Sequence, residues 1–276
     1  MRGVSISALC RKVGMTRQNY YKQRKQRKVR KVDGELIARL VRQQRCQHPR
    51  IGGRKLHKLL SADLADAGIS IGRDAFFSVL REHGLLVDPL PRAPRTTNSQ
   101  HCLPVFRNLI RDLGPTAPNQ IWVSDITYLR TEGNFVYLAL VMDLYSRKIV
   151  GYHCGDSLES IGCVTALEQA LAELPENRFP IHHSDRGCQY CCHEYVKRLF
   201  LRDLSVSMTE ENHCYENAHA ERVNGILKQE YGLRMTFRDG DQARRAVSQA
   251  VSLYNNRRPH TSLQYQVPAD VHREAA

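Results

Sequence analysis

The chain has 276 residues, 42% of them hydrophobic, which is enough for one large domain or two to three small ones with a buried core. Its formal net charge of +13 points to a polyanion or an anionic surface as partner. No apolar run approaches the ~20 residues that span a bilayer, and the N-terminus lacks the apolar stretch of a signal peptide. A membrane protein and an exported one are thereby set aside, and the expected setting is the cytoplasm. The nine cysteines are scattered and odd in number, so they read as reduced thiols rather than a disulfide framework. Cys188, Cys191, Cys192 and His193, with His213 and Cys214 further on, suggest zinc. A structural zinc site needs two well-spaced ligand pairs, and the alternative is small side chains packed beside a strand end.

In chain order, residues 1–32 carry eleven Lys or Arg and no acidic residue. Ile6 to Val13, Gly14 and Thr16 to Tyr21 read as helix, turn and a second helix capped by Thr16. The basic run Arg24 to Lys31 follows, so Arg24, Lys25, Arg27 and Lys28 are candidate DNA contacts. Residues 33–87 form a second helical region. Leu36, Leu40 and Val41 make one stripe, Leu56, Leu59, Leu60 and Leu64 another, which Gly68 ends, and a last helix starts at Ser70 or Gly72. A helix-turn-helix and a plain helical hairpin both fit. Residues 88–118, with prolines at 89, 91, 94, 104, 115 and 118, read as a linker.

Beyond the linker the pattern turns to strands at 120–129, 135–144 and 148–154, an antiparallel meander. A helix with Ile161, Val164, Leu167, Leu171 and Leu174 on one side stops at Pro175. A strand over 179–184, a helix over 193–201, a strand over 205–208 and a helix over 215–231 complete the order βββαβαβα. That order predicts an α/β mixed sheet flanked by helices over 119–235, with a helical extension over 236–276.

Three carboxylates stand out. Asp125 interrupts the apolar strand Ile-Trp-Val-Ser-Asp-Ile-Thr-Tyr-Leu, where a charge is costly unless it is paired or binds a cation. Asp185 ends the fourth strand, where it either caps a turn or carries chemistry. In the last helix Asn217, Glu221, Asn224 and Lys228 form a stripe beside the core stripe Ala220, Val223, Ile226 and Leu227. Glu221 and Lys228 are only ~20° out of register. Carboxylates on adjacent rigid elements are what two ions roughly 4 Å apart require for phosphoryl transfer. An ordinary solvated polar face is the alternative for the helix.

Together these motifs resemble the second-frame product of the IS-three class of bacterial insertion sequences, whose core is similar to the Asp-Asp-Glu core of retroviral integrases. The resemblance is carried by WVSDITYL (122–129), YLALVMDLYSRKIVGY (137–152), HSDRGCQY (183–190), SMTEENHCYENAHAERVNGILKQE (207–230), YNNRRPHTSLQYQVP (254–268) and IGGRKLHKLL (51–60). The 35 residues between Asp185 and Glu221 match its spacing. It implies an RNase H-like fold and a transposase that cleaves 3′ ends and transfers the 3′-OH to target DNA. Asp125, Asp185 and Glu221 would be catalytic ligands of two Mg²⁺ ions, with Mn²⁺ as substitute. It further implies Lys228, Arg186, Asn217, Asn224, Arg257, Arg258 and His260 as DNA contacts, self-association on paired ends, and an upstream-frame partner. Asp143 matches too, but its place beside Ser146-Arg147 suggests a structural pair. Cys188 and Glu216 depart from the resemblance at positions that hold no metal. A non-catalytic DNA-binding regulator and an RNase H-like nuclease are the alternatives.

Overall fold

The computed structural model describes residues 6–7, 10, 14–87, 103–210 and 217–274, without the side chains of 27–32. It divides into two compact units, Met1–Gln47 with Ile51–Val87, and His48–Arg50 with Asp88–Ala276. Charge divides with them. The first unit carries 19 Lys or Arg against 6 Asp or Glu, while the second carries 22 against 22.

In the first unit, Gly14 takes φ +66°, the left-handed geometry that ends a helix. Thr16 Oγ1 then accepts the Asn19 amide at 3.2 Å, capping α1 (Arg17–Gln47) as its sequence foretells. Helix α1 is unbroken across 32/33, where the sequence suggested a division. Helices α2 (Gly53–Leu59) and α3 (Ser61–Asp66) follow, and Gly68 at φ +71° closes α3. Helix α4 (Arg73–Glu82) completes the unit. Ile37, Val41, Ile51, Leu56, Leu60, Leu64, Phe76 and Leu80 form its core.

The second unit is built on a five-stranded sheet in the order β3-β2-β1-β4-β5. Strands β1 (Ile121–Arg130), β2 (Phe135–Asp143) and β3 (Ile149–Gly155) form the antiparallel meander. Strands β4 (Ile181–Ser184) and β5 (Val206–Met208) join β1 in parallel. This is the expected RNase H-like arrangement. Alternation along β1 and β2 sends Ile121, Val123, Leu138 and Leu140 to one face, under α8 (Ala218–Glu230) and α9 (Gly240–Arg257). Trp122, Ala139 and Val141 go to the other, under α5 (Ser160–Ala172), α6 (Cys188–Cys191) and α7 (His193–Phe200). A 3-10 turn (Thr261–Leu263) and α10 (Pro268–Glu274) end the description.

Three details depart from the sequence reading. Ile161 is exposed, because α5 turns its small residues Cys163, Ala166 and Ala170 to the sheet. Phe179 is exposed and precedes β4 rather than opening it. The second half of the expected linker packs on the sheet unit: Met208 N donates to Arg107 O at 3.3 Å and Leu109 N to Ser207 Oγ at 2.9 Å. Among the described residues no helix is long and apolar enough to cross a membrane.

Candidate active site

Strand β1 is ten residues long and β4 only four, so their parallel pairing ends at Val123↔His183. Asp125, midway along β1, falls two residues past the last pair and Asp185 just past the end of β4, which places both where β4 stops beside β1. Asp125 Oδ2 accepts Asn224 Nδ2 at 2.8 Å and its Oδ1 accepts the Ile126 amide at 2.9 Å. Burial, foremost, and the charge of Asp185 push its pKa up to about 7; the bonds from Asn224 and Ile126 oppose this, and Glu221 adds a further upward push. Asp185 Oδ1 accepts the Gly187 amide at 2.9 Å in a tight turn. A Cβ on Gly187 would lie 3.0 Å from that same oxygen, so the turn favours glycine. Glu221 is exposed in the first turn of α8, where a negative charge complements the helix dipole.

The three carboxylates are thus within electrostatic reach of one another. Among the described residues, however, no three His, Cys, Asp or Glu side chains are gathered closely enough to hold an ion as they stand. The donor chemistry suits a hard divalent cation, since all the candidate ligands are carboxylate oxygens. Two buried amide oxygens beside this site, Asn224 Oδ1 and Asn217 Oδ1, have no hydrogen-bond partner among the described residues. On both counts the residues fit a bound cation.

The other expected contacts separate by burial. Lys228 is half-buried with its Nζ 4.7 Å from the Tyr128 ring centroid. Burial lowers its pKa and nearby Asp125 partly restores it. Asn224 and Asn217 face inward rather than toward DNA, because one holds Asp125 and the other donates to Ser124 O at 3.0 Å. Arg186 Nε is committed to Thr209 O at 2.6 Å. Arg258 is 2% exposed and makes a double ion pair with Glu230, at 2.8 Å for each bond, so it is a structural residue. His260 is buried with its ring 5.1 Å from that of Tyr254. Arg257 is exposed, as are Arg24 and Lys25, and the side chains of Arg27 and Lys28 lie outside the described residues. Asp143 is fully buried and accepts Asn119 N, Ser146 N and Ser146 Oγ. Burial would raise its pKa, but His272, Ser146 and the two amides together hold it below the usual range. Its partner is Ser146, while Arg147 turns to His219 at 3.0 Å. Cys191 is buried against Met208, its Sγ 3.7 Å from the thioether, and Cys192 Sγ meets Gln189 O. His213 and Cys214 lie outside the described residues.

Two integrase core domain families match residues 115–214 and 202–268. The uncharacterized 31 kDa protein of insertion element IS600 from Shigella sonnei is 37% identical over 206 residues, 74% of this chain and 76% of that one. The transposase InsF for insertion sequence IS3A from Escherichia coli (strain K12) is 33% identical over 236 residues, 82% and 79% of the two chains. This chain belongs to the insertion-sequence transposases. The HTLV-2 integrase catalytic core domain, solved in complex with magnesium, aligns at 18% identity and TM-score 0.46 over 57% of this chain and 98% of that one.

As a transposase the chain is a polynucleotidyl transferase acting on DNA, and its polar interior shows what spacing alone did not. His182 Nε2 meets Ser124 Oγ at 2.8 Å and Tyr195 Oη at 2.9 Å, knotting β1, β4 and α7 beneath the carboxylates. Burial, helped by His183, drives the His182 pKa down to about 3, so the ring is neutral. The sequence signal was the pair of histidines inside a short apolar strand. Asn224 stood on the polar stripe from the start, but its bond to Asp125 was not foreseen.

Proposed function

We propose that this transposase hydrolyses a phosphodiester at the 3′ end of its element and transfers the freed 3′-OH to target DNA by two-metal phosphoryl transfer. The observation supporting this reading is the grouping of Asp125, Asp185 and Glu221 by charge where β4 stops beside β1. Asp125, Asp185 and Glu221 would hold Mg²⁺, or Mn²⁺ in its place, and the cations would supply charge neutralisation and a polarised attacking oxygen. The chain's own part is positional. Asn224 orients Asp125, the Gly187 turn orients Asp185, and Lys228 offers a cation to a phosphate beside them. Exposed Arg257, Arg24 and Lys25 would contact the DNA backbone more remotely. Pairing of two ends calls for self-association, and an upstream-frame product of the element could join the complex, acting in the bacterial cytoplasm at the nucleoid.

The test is nicking and joining of labelled duplexes that carry the element ends, with Mg²⁺ or Mn²⁺. Asp185→Asn should abolish 3′ cleavage while leaving DNA binding within about two-fold, since it removes one ligand and no phosphate contact. Equal cutting by both proteins would refute the site. Binding by the parent without chemistry, even with the upstream-frame product present, would favour a DNA-binding regulator.

A further inference from the structure

Among the described residues, the edge of β1 pairs with other backbone at both ends but not in the middle, where Ser124 O instead accepts Asn217 Nδ2. Beyond Val123 it has left β4, and at its far end Phe237 N donates to Arg130 O at 2.8 Å and Thr131 bridges Phe237. Six residues, 124–129, lie between, roughly 20 Å of strand. Lys228 from the α8 side reaches Tyr128 on the opposite face of the sheet, which requires this gap. A cleft of about 540 Å³ opens there, and both Asp125 and Asp185 line it. Its far wall is aromatic. The register places Tyr128 opposite Tyr137 and Arg130 opposite Phe135, so all four side chains share one face. Tyr128 and Phe135 meet edge to face at 5.4 Å, and the Arg130 guanidinium lies 5.9 Å from the Phe135 ring. Phe135 is 38% exposed, so part of its ring is open to a ligand in the cleft.

Aromatic rings flanked by cations, next to a site for phosphate chemistry, match one ligand class: a nucleotide whose base is unpaired. Its phosphate would lie toward Lys228 and the carboxylates and its base against the rings. A base paired within the duplex is already stacked on both faces, and a terminal pair cannot swing its outer face to a wall beside the strand. We propose that the Tyr128–Phe135–Tyr137 wall stacks an unpaired base next to the scissile phosphate, so that this transposase binds frayed DNA ends in preference to closed ones. The inference rests on the reading of the cleft as the DNA-cleaving site, and it adds the conformation of the substrate.

The test is fluorescence anisotropy of the full chain in EDTA with three labelled duplexes of one sequence. One is blunt, one has its last nucleotides unpaired, and one has the same fork with abasic sites in place of the unpaired bases. Parent protein should bind the fork about five-fold or more tighter than the blunt end, and abasic sites should erase the gain. Phe135→Ala should lose the preference and Phe135→Tyr should keep it. Because Phe135 is partly exposed, circular dichroism melts of both variants should match the parent. Equal affinity for the abasic and the base-bearing fork, or a Phe135→Ala variant that still prefers the fork, overturns the proposal. No measurable difference between fork and blunt end overturns it too. The assay involves no cleavage. A fork preference without metal-dependent cutting would therefore fault the reading of the reaction and leave the stacking wall standing, whereas cutting without a preference would do the reverse.

Discussion

Asp125 keeps its proton to about pH 7 because burial and two neighbouring carboxylates outweigh the bonds from Asn224 and Ile126. Its folded pKa is raised above the unfolded value, so the stability it contributes is complete below about pH 4 and is lost as pH rises through 7. In EDTA, Asp125→Asn should therefore melt about 5 °C above the parent at pH 8, from roughly 2 kcal/mol after allowance for solvent screening. The gap should close as pH falls toward 4, and thermal melts across that range check it. A gap that does not change with pH would mean that the carboxylate is not the source. At this scale the sequence was informative where a residue type was out of place, such as a carboxylate within an apolar strand or at a strand end. It was silent on partners distant along the chain. The resemblance implied DNA contacts for Arg258 and Asn217, and nothing nearby in sequence spoke for Glu230, 28 residues from one, or Ser124, 93 from the other.

Helix α5 shows why an apolar stripe is an incomplete guide to which face packs. Its stripe Ile161, Val164, Leu167, Leu171 and Leu174 suggested one buried side; Val164, Leu167 and Leu174 are buried, but Ile161 is 61% exposed and Ala166 and Ala170 share the contact. The cause is on β3. A Cβ at Gly151 would stand 2.0 Å from Ala166 O and 3.0 Å from Ala170 Cβ, so glycine there lets the helix backbone settle directly on the strand. Hydrophobic periodicity weighs side-chain size and cannot register an approach that depends on the absence of a side chain. Gly151→Ala should cost about 2–4 kcal/mol, because the opposing atom is backbone and cannot rotate away. Urea denaturation measures this, and an unchanged midpoint would show that the helix can lift from the sheet freely. The strands were easier to read, since alternation along β1 and β2 reports directly on the two faces of the sheet.

Over the whole molecule, the surplus of positive charge belongs to the first unit, while the second has 22 basic against 22 acidic residues. The basic first 32 residues already announced this imbalance, and the division into compact units shows that the sheet unit is left near neutral. Arg24 and Lys25 are exposed on α1. Replacing both with Ala should flatten the salt dependence of DNA binding, lowering the magnitude of the logarithmic slope by up to about 2. Titrations at several salt concentrations test this, and an unaltered slope would place the phosphate contacts elsewhere. The near-neutral sheet unit also bears on how the protein finds DNA. A body without net charge exerts little long-range pull on a polyanion, so capture from solution would fall to the basic helices. Severed from them, the sheet unit should meet DNA more slowly, at a rate that hardly responds to salt.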